Sequence, residues 1–352
     1  MKVELDNENL LYTGRIDRRN PKRPEFVFPA TSLSFRFYGK SAQLRVNNRR
    51  LYWNSVVGAV VDGAQKRFDL NAEGETVITL LDEEKDSEHD VMIFKRMDSC
   101  HELILEELIL SDGSRLLPAP ERLKRRIEVY GDSVSAGEVS EAVHYLGKED
   151  PEHNGEFSNS WYSYAWITAR NLHAELHDIA QGGIALMDGI GWFEEPNNIG
   201  MESVWDKVHY HPGLGEATPW DFTCYTPQVV IVAIGQNDSH PEDFMKEDYH
   251  GEKAELWREK YGDFLSMLRE KYPQAHIICC TTLLCHDKSW DDAIGEVCAR
   301  AADEKITHYV FHRNGRGTPG HLRIPEAEEM AQELTAYIES LHVEGWSLDV
   351  RG

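Results

Sequence analysis

Between residues 31 and 110, apolar and polar positions alternate with a period of two in one segment after another. In SLSFRFYG, Leu33, Phe35 and Phe37 alternate with Ser34 and Arg36, the spacing of a strand with one buried face. SAQLRVNN, SVVGAVVDG, ETVITLLDEE, HDVMIFKRM and HELILEELIL follow, separated by Gly, Asn and Asp turns. No long helical pattern interrupts them. Such a series predicts an antiparallel sandwich or jelly roll over residues 1–118. LPAPERLKRR, with its prolines and its burst of basic side chains, reads as the link that ends this domain.

After the link the periodicity changes. Apolar runs at RIEVY, AELHDIA, QVVIVAI, HIICCTT and THYVF alternate with helical patterns, which predicts a mostly parallel sheet covered on both faces, an α/β/α domain over residues 119–352. Trp257, Tyr261, Phe264, Leu265 and Leu268 share one helical face. Trp161, Tyr164, Ala165, Thr168 and Ala169 share another. The last helix has Pro325 near its first position and an apolar stripe from Ala327 to Leu341.

Charge narrows the range of partners. With 37 Lys and Arg against 61 Asp and Glu in 352 residues, the net charge is −24. That field opposes nucleic-acid phosphates and anionic lipid and suits a neutral substrate. No nucleic acid or membrane partner is expected. MKVELDNENLLYTGRIDRR lacks the apolar core of a signal peptide, so a cytoplasmic location is the expectation. The cysteines Cys100, Cys224, Cys279, Cys280, Cys285 and Cys298 show no paired metal-ligand spacing and read as buried free thiols. A zinc site from Cys280, Cys285 and His286 would want a second ligand pair. No metal or other cofactor is expected.

In an open parallel sheet, ligands sit beyond the carboxyl ends of the strands. After RIEVY comes Gly131-Asp132-Ser133, after AELHDIA comes Gln181-Gly182-Gly183, and after QVVIVAI comes Gly235-Gln236-Asn237-Asp238. The last strand leads through HRNGRGTPGH to His321. Taken singly, these are a helix cap, a turn, another cap and one histidine among many. In this order they supply what ester hydrolysis requires. A serine hydroxyl (Ser133) needs an imidazole (His321) to take its proton, and the oxyanion needs donors aimed at it in advance. The N–H groups of Ser133 and Gly183 and the amide of Asn237 are the candidate donors.

The order Gly-Asp-Ser, glycine, Gly-X-Asn-Asp, histidine resembles the SGNH (GDSL-type) hydrolase superfamily. The layout is more specific: YTGRIDRRNPKRPEFVFPATSLSFRFYG ahead of NSWYSYAWITARNLHAEL and WDFTCYTPQVVIVAIGQND is similar to carbohydrate esterase family 2 over nearly the whole chain. The resemblance implies a β-sandwich joined to a three-layer hydrolase domain. It also implies a metal-free acetyl esterase acting on sugar hydroxyls, often O-6 of mannosyl or glucosyl units, with Ser133, Gly183, Asn237 and His321 in the four named roles.

One departure matters. Many SGNH enzymes carry an aspartate three residues before the histidine, and here that position is Thr318. The expectation is therefore a Ser-His dyad whose imidazole is oriented by a main-chain carbonyl, with the Thr318 hydroxyl dispensable. EVSEAVHYLGKEDPEHNGEF after Ser133 is long for its place, and is either an access loop or a disordered acidic one. Trp290, then Trp192 and Trp205, are the candidates for stacking on sugar, while HYHPGLG with His209 and His211 reads as a solvated loop. The expected function is deacetylation of acetylated manno- or gluco-oligosaccharides. The alternatives are a lipid-ester or thioester hydrolase of the same superfamily and an inactive carbohydrate-binding protein.

Overall fold

Two long antiparallel strands, Ser32–Arg50 and Gly74–Lys95, organise the N-terminal part of the computed structural model, which describes residues 1–346. They pair from Ser32 opposite Phe94 to Asn48 opposite Gly74, with register shifts between Gly39 and Ser41 and between Ala42 and Gln43. Before the first shift, Ser32–Arg50 also pairs with Leu11–Thr13 and Arg115–Leu116. Beyond it, the partner is His101–Leu110. The sheet therefore changes partners midway and curls on itself, closing a jelly-roll sandwich around Leu33, Phe35, Leu44, Val46, Leu105 and Leu108. SLSFRFYG and SAQLRVNN, expected as separate strands, are two halves of one. The Gly39-Lys40 step works as a bulge, which bends a strand without ending it.

The second sheet has five strands, all parallel, in the order Ala174–Ala180, Arg125–Gly131, Val229–Ala233, His276–Cys279, Ile306–His308. Its apolar runs are continuous because both faces are covered. On one face, Trp257, Tyr261 and Phe264 of the Glu252–Lys271 helix pack with Ile294 and Val297 of Lys288–Ala301. On the other, Tyr164 and Ala165 of Tyr164–Asn171 meet Ala327, Met330 and Leu334 of Ile324–Ser340. Gly131 lies opposite both Ala180 and Ala233 in register. The segments that leave these three strands therefore emerge side by side at one end of the sheet.

Buried polar contacts tie the two halves together. Arg15, fully buried, donates to Glu128 Oε1 at 3.1 Å and to the Tyr130 hydroxyl at 2.8 Å. Such a pair holds a fixed orientation more than it adds net stability. Asp98, between the last two long strands of the sandwich, accepts from Gly182 N at 2.7 Å and Gln181 Nε2 at 2.8 Å. The sandwich thus holds a loop of the other domain in place.

Several local expectations change. His209 and His211 are buried, not solvated. His209 bonds Glu102 at 2.8 Å and Asp17 at 2.9 Å, because the loop turns inward against sandwich carboxylates. Of the thiols, Cys100, Cys279, Cys280 and Cys298 are buried, whereas Cys224 and Cys285 are exposed. His286 is engaged by the Leu284 carbonyl and by Asp291. No helix among the described residues is long and apolar enough to cross a membrane.

Candidate active site

Ser133 opens a short helix, Ser133–Ala136, whose N-cap is Asp132. Asp132 Oδ1 accepts from Val134 N at 2.9 Å, so the cap and the pocket-lining serine are neighbouring residues of one turn. The N–H of Ser133, at the first helical position, has no partner within the helix and is available to an anion. Asp132 Oδ2 receives Gln236 Nε2 at 2.5 Å and Asn237 Nδ2 at 3.3 Å, which joins the first and third loops. Burial pushes the Asp132 carboxyl up to about 6.

The third loop is fixed from below. Asp238, fully buried, accepts from Trp257 Nε1 at 2.7 Å and Leu186 N at 2.9 Å, and burial raises it to about 7. Asn237 Nδ2 also donates to the Ile184 carbonyl at 3.1 Å. An oxyanion reaching this amide would displace the longer of its two contacts, the one to Asp132.

Gly183 has φ +73°, the left-handed region that glycine favours. Its carbonyl accepts from Trp192 N at 2.8 Å and Phe193 N at 3.1 Å. A Cβ at Gly183 would lie 2.9 Å from the Trp192 Cβ. The glycine therefore lets the loop bearing Trp192 fold down onto this edge of the site.

His321 is oriented by an acid, not by a main-chain carbonyl. Its Nδ1 lies 2.7 Å from Asp150 Oδ2, and its backbone N donates to Asp150 Oδ1 at 3.0 Å. Arg323 NH2 donates to Asp150 Oδ1 at 2.8 Å. Burial would raise the Asp150 carboxyl, but His321 and Arg323 hold it well below the usual carboxylate range. Burial would lower the His321 imidazole, yet Asp150, Glu138 and Asp132 keep it above its ordinary value. Gly320 makes the approach possible, since a Cβ there would fall 2.3 Å from Asp150 Oδ1.

The dyad expectation fails because the acid comes from the long segment after Ser133, not from the position three residues before the histidine. That segment is ordered and folded over the site. The Thr318 hydroxyl has a task after all: it accepts from Gly147 N at 3.0 Å, three residues before Asp150.

Ser133, Gly183, Asn237, His321, Asp150 and Trp192 line one pocket of about 470 Å³. Glu138, His153, Phe193 and Glu194 complete its wall, together with Tyr52 and Trp53 from the sandwich. Trp192 is 55% exposed at the rim and stacks on His240, with centroids 3.3 Å apart. Trp290 and Trp205 lie elsewhere. Trp290, in the first turn of Lys288–Ala301, is fully buried between Trp257 and Phe244 and donates to Asp243 at 3.0 Å. Trp205 is buried against Phe222 and Phe264. Trp290 precedes and Trp205 follows apolar neighbours at helical spacing, which is a core pattern.

The fold and the pocket define the class: an α/β/α domain of SGNH type with a β-rich partner domain. Residues 12–120 match the Carbohydrate esterase 2 N-terminal family. The chain is 30% identical over 348 residues to the cellulase/esterase CelE of Acetivibrio thermocellus, covering 95% of this chain and 40% of that protein. It therefore spans about two fifths of that relative's length. It is 28% identical over 348 residues to the acetylxylan esterase / glucomannan deacetylase of Cellvibrio japonicus, covering 96% and 90%. A family two carbohydrate esterase from Clostridium thermocellum, solved with cellohexaose, superposes with a TM-score of 0.79 at 28% identity, covering 96% of this chain and all of that one. In sequence and in fold the chain is similar to family 2 carbohydrate esterases.

Proposed function

We propose that this chain is a carbohydrate O-acetyl esterase that forms an acetyl-enzyme on Ser133. His321 Nε2 takes the Ser133 proton as Oγ attacks the acetyl carbonyl. Nδ1–H stays donated to Asp150, which stabilises the imidazolium as it forms. The tetrahedral oxyanion is held by Ser133 N–H, Gly183 N–H and, once it leaves Asp132, the Asn237 amide. The imidazolium returns its proton to the departing sugar oxygen. Water then repeats the sequence on the acetyl-enzyme, releasing acetate and regenerating Ser133.

The observation that carries this reading is the 2.7 Å contact between His321 and Asp150 in the pocket that also holds Ser133 and Gly183. For substrate, the open rim with Trp192 and the sandwich aromatics Tyr52 and Trp53 supports a sugar chain. So do the relatives, one named for acetylxylan and glucomannan and one solved with cellohexaose. We assign acetylated gluco- or manno-configured oligosaccharides, with O-6 as the site of deacetylation. Mass spectrometry of acetylated glucomannan and xylan oligosaccharides before and after incubation tests both parts. Loss of acetyl mass is expected from the gluco- and manno-series, with none from Ser133→Ala. Turnover of xylan fragments alone would overturn the substrate assignment, and turnover by Ser133→Ala would overturn the mechanism.

A further inference from the structure

Glu138 leaves the turn behind Ser133 with its side chain 3% exposed, yet its Oε1 has no hydrogen-bond partner among the described residues. Two imidazoles face the carboxylate instead. His153 Nε2 lies 3.1 Å and His321 Nε2 3.7 Å from Glu138 Oε2. Apart from that contact, neither ring nitrogen of His153 has a hydrogen-bond partner among the described residues, and the ring is held against Trp53 with centroids 3.9 Å apart. A buried carboxylate is costly unless paired, and the two imidazole nitrogens that converge on its Oε2 either pair it directly or share a cation with it.

The spacing selects the ligand. Tetrahedral zinc bonds of about 2.0–2.2 Å place neighbouring donor atoms about 3.3–3.5 Å apart. The two measured separations, 3.1 and 3.7 Å, bracket that value, and the three donor atoms all lie within 4.8 Å of one another. Two imidazole nitrogens and one carboxylate oxygen, with a fourth position open to solvent, are a donor set that zinc accepts. All three residues line the pocket. Asp98 and Asp132, both buried close by, add negative potential, offset at Asp98 by the buried Lys95. The other cluster of similar composition, Glu25, Glu102 and His209, is already bridged by Arg49.

We propose that Glu138, His153 and His321 form a divalent-cation site of zinc type at the pocket wall, and that an ion bound there silences the esterase. The silencing rests on the function proposed above: the metal takes the Nε2 lone pair of His321, which is then unable to accept the Ser133 proton. The binding itself does not depend on that function.

Cobalt(II) is the probe, because tetrahedral coordination gives visible d–d absorption that octahedral aqueous cobalt nearly lacks. Titrating the full chain should produce those bands with saturation at one equivalent, and zinc should abolish them. His153→Phe keeps the ring against Trp53 but removes the ligand. It should weaken cobalt binding by roughly a hundredfold or more, since even groups behind a metal ligand are worth about 10–100-fold. His153→Gln, checked by circular dichroism, guards against a misfolded phenylalanine variant. Ser133→Ala should be inactive yet keep the bands, which separates the metal site from the esterase reading. Zinc should inhibit ester hydrolysis at its binding constant, and a chelator should restore it. Absence of tetrahedral bands, or bands unchanged in both His153 variants, overturns the site. Stoichiometric binding with undiminished activity overturns the silencing.

Discussion

His321 and Asp150 meet at 2.7 Å across 171 residues of sequence, and the contact decides how the imidazole can act. The carboxylate accepts Nδ1–H, which leaves Nε2 as the proton acceptor. Asp150→Asn keeps the shape but offers a donor where an acceptor is needed, so it favours the wrong tautomer. The expected outcome is a fall in kcat on the order of 10³–10⁴ with KM little changed. Arg323, fully buried, also loses its partner, so thermal unfolding should drop, in keeping with about 3–5 kcal/mol for a broken buried pair. A loss of activity under tenfold would mean that the orienting group lies elsewhere.

The same contact sets the pH dependence. The base must be neutral, and Asp150, Glu138 and Asp132 hold the imidazolium above its ordinary value. Activity should therefore rise with pH through a midpoint above about 6.5. Asp150→Asn should move the midpoint down. The Asp150 carboxyl is depressed, so its contribution to stability is complete above the unfolded value of about 3.9 and is lost as pH falls through the folded one. The acidic loss of activity should accordingly be reversible and precede unfolding. Kinetics beside circular dichroism from pH 4 to 9 check this. A limb that coincides with unfolding would refute it.

Thr318 offers a second handle on the histidine. Its hydroxyl accepts from Gly147 N at 3.0 Å, and its own N donates to Glu326 Oε1 at 2.7 Å. Thr318→Val leaves the Gly147 N–H without its partner and loosens the segment that carries Asp150. Stability should fall by about 1–3 kcal/mol, and kcat by several-fold, with the pH midpoint shifted toward the unperturbed value. Unchanged kinetics would mean that Asp150 is held by His321 and Arg323 alone.

The reasons the acid was hidden in the sequence are physical. The strands announced themselves through period and apolar runs, and the parallel order brought Ser133, Gly183 and Asn237 together because Gly131 sits in register with Ala180 and Ala233. Asp150 obeys no such periodicity. It is one acid in an acidic loop, and only the tertiary fold selects it. The usable signals were an unusually long segment behind the serine and a threonine where an aspartate is common. Glu138, His153 and the sandwich aromatics Tyr52 and Trp53 were missed for the same reason. Trp290 and Trp205 were misread despite a local signal: Trp290 precedes Ala293, Ile294 and Val297, and Trp205 follows Met201 and Val204. That is helical core spacing, which outweighs proximity to a strand end.

The two kinds of tryptophan should separate cleanly by experiment. Trp192 is 55% exposed at the pocket rim, whereas Trp290 is fully buried under Phe244 and Trp257. Trp192→Ala keeps the Cβ that packs on Gly183 and removes only the indole. KM for an acetylated oligosaccharide should rise by about 2- to 10-fold, the scale of one aromatic contact. Turnover of a small acetate ester and the unfolding temperature should stay near wild type. Trp290→Ala leaves a cavity in the core and takes the indole donor from Asp243, so stability should fall by about 3–5 kcal/mol. Whatever variant remains folded should show a near-normal KM. If Trp192→Ala leaves the oligosaccharide KM unchanged, the sugar does not run along that rim, and Tyr52 and Trp53 of the same pocket become the surface to probe.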